Sequence, residues 1–193
     1  MGMTLLGEEQ MIHVVRKAYY DFEKEEKFLN QMSEKGWALV DYSWCKYVFK
    51  DAPKGEYIYR LELLEHPVYH PESQEYIKFM EDTGAEFVAS YNRWVYFRRK
   101  ETDGEFNIYS DMDSKIRHYN RIRQLFIFVF VFNFFIGVLN LSWGYRATTI
   151  GHTSVNFYVS IISLSISVLF LIFLIMPLNK KIDTLKSEKE IHE

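Results

Sequence analysis

His66 and His70 are the pair in this sequence whose chemistry is easiest to name, because they lie four positions apart and are flanked by Glu65 and Glu72. Two histidines at i and i+4 on a helix turn both rings toward one ion, and a nearby carboxylate completes a zinc-type donor set. Here Pro67 and Pro71 break the helix that such spacing requires. The sequence therefore predicts no metal ligands and reads both as loop histidines. No nucleophile stands at a recognisable spacing from a base, so no catalytic residue is assigned and no cofactor is expected. Gly55, Gly84 and Gly104 are isolated turn glycines, which do not make a phosphate-cradling loop. The single cysteine, Cys45, precludes an intrachain disulfide and reads as a small apolar strand residue.

A second kind of chemistry would come from aromatic rings beside cations. Trp44, Arg93, Tyr96 and Arg98 could form a base-stacking platform of the kind that binds RNA. Charge argues against it. Residues 1–113 hold 14 Lys and Arg against 22 Asp and Glu, a net −8, whereas residues 114–193 hold 9 against 4, a net +5. An acidic body repels phosphate backbones, so no nucleic acid is expected. The same four residues are of the types enriched at protein interfaces and become the candidate partner surface.

The elements that must position these residues follow from periodicity. His13 to Tyr20 and Tyr57 to Leu63 read as strands, and Trp37 to Phe49 and Phe87 to Phe97 as longer aromatic strands. Glu23 to Lys35 and Glu72 to Thr83 have helical apolar spacing, with Gly36 and Gly84 as C-terminal caps. The order βαββαβ predicts an α+β, ferredoxin-like domain over residues 11–113, with one sheet face packing the helices and the other free. Setting Gly36 on Gly84 also places Phe28 on Tyr76, Leu29 on Ile77, Met32 on Met80 and Phe49 on Phe97. Such an alignment arises from an internal duplication or from shared secondary structure alone.

Beyond residue 113 the pattern changes. Leu125 to Leu141 and Val155 to Leu178 are apolar runs that approach or exceed the roughly 20 residues a bilayer-spanning helix needs. They predict a transmembrane hairpin over 125–178, with spans at about 125–141 and 155–178. A basic juxtamembrane helix over 114–124, capped by Asp113 or Ser114, precedes it, and a tail over 179–193 follows. Lys115, Arg117, Arg121 and Arg123 before the hairpin, and Lys180 and Lys181 after it, predict contact with anionic lipid and cytoplasmic N- and C-termini. Ser142 to Ser154 reads as a short outer loop. Asn133, Gly137 and Asn140 share one helical face, as do Ser160, Ser163 and Ser167, and these faces are expected to pack together. Residues 1–10 lack a signal-peptide pattern and are expected to be an N-terminal extension.

Four segments carry a resemblance: Glu26-Lys27-Phe28-Leu29-Asn30, Lys35-Gly36-Trp37, Asp82-Thr83-Gly84-Ala85-Glu86 and Trp94-Val95-Tyr96-Phe97-Arg98-Arg99-Lys100. Together they resemble the recurrent segments of bacterial domain-of-unknown-function 2812 membrane proteins, over roughly Met11 to Tyr119. The resemblance implies C-terminal membrane helices and transfers no activity. The resulting expectation is a non-enzymatic, membrane-anchored cytoplasmic interaction module, regulatory in role, that binds a protein partner or a second copy of itself. The alternative is an accessory subunit of a multi-subunit transporter or envelope complex.

Overall fold

The computed structural model describes residues 11–150 and 155–192. The expected extension over 1–10 lies outside the described residues. The chain divides into two compact units between Ile108 and Tyr109.

The first unit is built from two copies of one βαββ motif. The first copy contains β1 (Ile12–Arg16), α1 (Phe22–Glu34), β2 (Trp37–Ser43) and β3 (Lys46–Asp51); the second contains β4 (Tyr57–Leu63), α2 (Pro71–Asp82), β5 (Glu86–Tyr91) and β6 (Trp94–Lys100). Each copy forms its own antiparallel three-stranded sheet, ordered β1-β3-β2 and β4-β6-β5. This corrects the expected βαββαβ order. The two long aromatic strands are hairpins, folded back at Cys45 (φ 54°) and Asn92 (φ 55°) in left-handed backbone. Asn92 is a familiar occupant of such a turn, but Cys45 gives no turn signal, and it is not the strand residue expected. The copies agree in detail: the register slips between Leu39 and Asp41 in one and between Phe87 and Ala89 in the other. Gly36 and Gly84 both end their helices at φ 89°. At Gly36 a Cβ would also lie 2.9 Å from the Ala52 carbonyl oxygen, so space and backbone both require glycine.

The larger core joins the copies. Phe28, Leu29 and Met32 of α1 pack with Leu39, Tyr47 and Phe49 of the first sheet and with Tyr59, Leu61, Ala89 and Tyr96 of the second. A second cluster sets Ile77 and Met80 of α2 against Val95 and Phe97. In β6, Tyr96 and Val95 point to opposite faces, so the second sheet is covered on both sides. Among the described residues the free face expected of the sheet is found on the first copy, where Ile12, Val14 and Arg16 are exposed.

Helix α1 also covers an edge. Tyr57, Tyr59 and Leu61 of β4 donate their backbone N–H groups to Ser33 Oγ (3.1 Å), Asn30 Oδ1 (2.7 Å) and Glu26 Oε1 (2.8 Å). Positions 26, 30 and 33 lie on one helical face, so α1 lays a polar stripe where a neighbouring strand would otherwise bond.

The second unit holds α3 (Met112–Thr149), α4 (Val155–Phe170) and α5 (Met176–His192), the last two joined through a π-helical turn at Leu171–Ile175. Pro177, which has no N–H to donate, follows that turn. Asp111 caps α3 by accepting from the Ser114 N–H at 2.6 Å, in place of the expected Asp113 or Ser114. α3 runs on through Thr149, so much of the expected loop from Ser142 is helical. Among the described residues two helices are long and apolar enough to cross a bilayer, Met112–Thr149 and the continuous Val155–Ile191. Their apolar side chains mostly face outward, Phe128, Phe132, Ile162 and Phe173 among them.

Candidate functional site

The four residues of the expected partner surface do not form one. Trp44, at the β2–β3 turn, is 71% exposed and meets Tyr91 with ring centroids 5.8 Å apart. Arg93, at the β5–β6 turn, donates to the Glu65 carbonyl at 2.8 Å. Tyr96 and Arg98 are buried. Arg98 binds Glu86 through Nε and Nη2 at 2.8 and 2.5 Å, donates to the Leu39 carbonyl at 3.1 Å and lies 4.2 Å from the Tyr57 ring centre. Its planar fork matches a carboxylate in two places at once, and here it bolts β6 to β2.

Tyr96 belongs to a buried polar group at the junction of the copies. Glu25 Oε1 accepts from Tyr47 Oη (2.6 Å) and Tyr96 Oη (2.7 Å). Burial raises the Glu25 carboxyl above its ordinary value, and the two hydroxyl donors only partly offset this. Both tyrosines are pushed up, by burial first and then by the Glu25 charge. Next to it, Glu26 is raised to about 7, chiefly by burial, with the Leu61 N–H and Arg60 opposing. Perturbed carboxyls of this kind can mark reaction centres. Here one residue from each of three elements closes the arrangement from within, so it fastens α1 to both sheets. Sequence reading missed it because a glutamate one position from Glu26 looks like helix surface.

The connection between β4 and α2, with the first turn of α2, brings His66, His70 and Glu72 together, one donor atom from each within 4.8 Å of the others. His66 Nε2 is 3.3 Å from Glu72 Oε2, and the imidazole rings stack with centroids 4.2 Å apart. The proline objection thus fails, because a loop performs the convergence that the helix was denied. The loop is pinned: Ser73 Oγ donates to the His66 carbonyl (3.1 Å), Gln74 Nε2 to the Val68 carbonyl (2.5 Å), and the His70 N–H to the Pro67 carbonyl (2.9 Å).

In the second unit, Asn133 Nδ2 donates to the Ser163 carbonyl (2.8 Å) and to Ser167 Oγ (3.0 Å). Asn140 instead turns back to the Ile136 carbonyl of its own helix at 2.9 Å, while Ser160 is buried and donates to the Phe157 carbonyl. Gly137 faces Leu164 and Ser163, and Gly144 faces the backbone of Phe157, where a Cβ would come within 2.7 Å of the amide nitrogen. Gly144 belongs to the same stripe, within the stretch from Ser142 expected to be a loop. Of the basic residues, Arg123 reaches Asn179 (3.4 Å) and Lys181 lies over the Tyr119 ring (5.8 Å). Lys115, Arg117, Arg121 and Lys180 lie on the same stretches of α3 and α5. His118 is fully buried and faces Tyr109, and burial, with Arg121 adding to it, lowers its pKa to about 3.

The class these features define is an α+β unit of duplicated βαββ motifs followed by long apolar helices. A family model described as "Protein of unknown function (DUF2812)" matches residues 21–131. The chain belongs to that family. Comparisons with curated proteins and with solved structures each found no match.

Proposed function

We propose that the chain is a non-enzymatic, membrane-anchored interaction module with a regulatory role, its α+β unit in the cytoplasm and its second unit crossing the bilayer twice. The outward-facing apolar surface of the two long helices carries this reading, since lipid is the solvent in which such surface is stable. Lys115, Arg117, Arg121 and Arg123 precede the first apolar run, and Lys180 and Lys181 follow the second. That distribution supports cytoplasmic termini and contact with anionic headgroups. Within the α+β unit each copy keeps the split βαβ crossover of ferredoxin-like domains, so the whole reads as a duplicated variant of that fold.

The partner we propose is a protein segment that covers β1. By position β1 is the counterpart of β4, whose edge α1 covers. Among the described residues β1 has no such cover, and Ile12 and Val14 are 61% and 53% exposed. Arg16, Lys46 and Lys50 flank them on the same face. Apolar residues bordered by carboxylates would fit. The accessory-subunit reading draws on a different observation, the exposed Phe128, Phe132, Phe134 and Phe135 of α3, which could meet another protein's spans.

Maleimide labelling tests the placement. With a membrane-impermeant reagent, Cys45 should react only after cells are permeabilised, whereas a Thr148→Cys variant in a Cys45→Ser background should react in intact cells. Reaction of Cys45 from outside, or recovery of the chain in the soluble fraction, would refute the proposal. Loss of a co-purifying protein on Val14→Glu, with retention on Phe132→Ala, would separate the sheet from the spans.

A further inference from the structure

We infer that His66, His70 and Glu72 bind a divalent transition-metal ion of the zinc class. Two imidazoles and one carboxylate are a donor set for Zn²⁺ and its neighbours in the first transition row, whereas Ca²⁺ and Mg²⁺ prefer all-oxygen shells. The geometry is close to what such an ion needs. With bonds of about 2.1 Å, two ligands on a tetrahedral ion stand about 3.4 Å apart. His66 Nε2 and Glu72 Oε2 already stand 3.3 Å apart, and the three donor atoms all lie within 4.8 Å of one another. Small rotations of half-exposed rings close the remainder.

Two further observations point the same way. His70 Nδ1 is buried and has no hydrogen-bond partner, and binding the ion would relieve it or fix its tautomer. The backbone carrying the ligands is also held before any ion arrives. Arg93 from the β5–β6 turn grips the Glu65 carbonyl, and Ser73 and Gln74 from α2 grip those of His66 and Val68. Pro67 and Pro71, each with its φ locked, stiffen the same loop. A preformed loop loses less conformational freedom on binding, which favours affinity.

One effect opposes the ion, since the N-terminal end of α2 carries a partial positive charge. At an exposed terminus that effect is worth a few-fold in affinity, and the Glu72 carboxylate in the first turn offsets it. Three protein ligands leave a fourth position for water or for a group brought by a partner.

The test uses untagged full-length protein in detergent, titrated with Co²⁺ followed by visible absorption, then with competing Zn²⁺. We expect an intense tetrahedral Co²⁺ band, displacement by Zn²⁺ near one ion per chain, and a Zn²⁺-dependent rise in Tm. His66→Ala and His70→Ala should each weaken binding by at least about tenfold, the least that losing even a ligand's supporting partner costs, and Glu72→Gln by less. His13→Ala, in the other βαββ copy and beside Asp51, should leave binding unchanged. Absence of the tetrahedral band in the unmodified chain overturns the inference without reference to any variant. Binding that survives both histidine substitutions, or that His13→Ala removes equally, overturns it as well.

Discussion

Replacing Asn30 by Ala tests whether α1 serves as the cover of β4. Asn30 Oδ1 accepts the Tyr59 N–H at 2.7 Å, and its Nδ2 donates more weakly to the Tyr59 carbonyl at 3.4 Å. That carbonyl keeps a second donor in Arg60 Nη1 at 2.9 Å, so truncation orphans mainly the N–H. A buried amide left without a partner costs about 1–3 kcal/mol. Alanine is the better helix former by several tenths of a kcal/mol, which works against the loss and makes the test conservative. Local opening free energy at β4 should fall by about 1–3 kcal/mol, and amide exchange there should accelerate by roughly 5- to 150-fold. Hydrogen-exchange mass spectrometry on full-length protein in detergent reads this from peptides covering 57–63. Lys27→Ala, exposed on the same helix, is the control. Unchanged protection at Tyr59, or a loss spread evenly over both sheets, would refute the edge-covering role.

Tyr96→Phe removes one of two donors from Glu25 and should destabilise the first unit by about 1.5–3 kcal/mol at neutral pH. The loss should be smaller in acid, where Glu25 takes up a proton; denaturant melts at two pH values measure both. Glu26 has a folded pKa raised to about 7, above its unfolded value of 4.5, so its contribution is fully present below the unfolded value and lost as pH rises through 7. From about pH 7 to about pH 5 it should add about 2 kcal/mol to the first unit. His118 runs the other way, because its folded pKa near 3 lies below the unfolded 6.5 and its contribution is lost as pH falls. It should cost the second unit about 2 kcal/mol by about pH 5, so pH-corrected exchange should tighten one unit and loosen the other. In the helix pair, Gly144→Val would drive a side chain into the Phe157 backbone, whereas a methyl at Gly137 meets the movable Leu164 side chain. Disulfide cross-linking between Asn133→Cys and Ser167→Cys, in a Cys45→Ser background, should fall with Gly144→Val and persist with Gly137→Ala.

A repeat was legible in apolar positions and in two glycines, although shared secondary structure alone would leave the same pattern. Gly36 on Gly84 aligns the helices and both β-bulges at the same offset. The first hairpin was hidden for a local reason: a strand that folds back through Trp44 and Cys45 keeps its aromatic alternation on either side of the turn, and no Gly, Pro or Asn marks the reversal. Residues that act through the fold were hidden more deeply. Glu25, Glu26, Asn30 and Ser33 are polar residues in a helix, a pattern that ordinarily means solvent, and nothing local says that a strand nearly thirty positions on will bring its N–H groups to three of them. The second copy supplies the comparison. Gln74, Lys78 and Glu81 occupy the places of Glu26, Asn30 and Ser33 on α2, and all three are exposed. The long, flexible Lys78 stands where α1 has Asn30, the one residue of the stripe that both accepts from and donates to a backbone. The two copies therefore share a scaffold but divide its labour: α1 closes an edge, α2 does not, and β1 is left as the edge on which a partner would act.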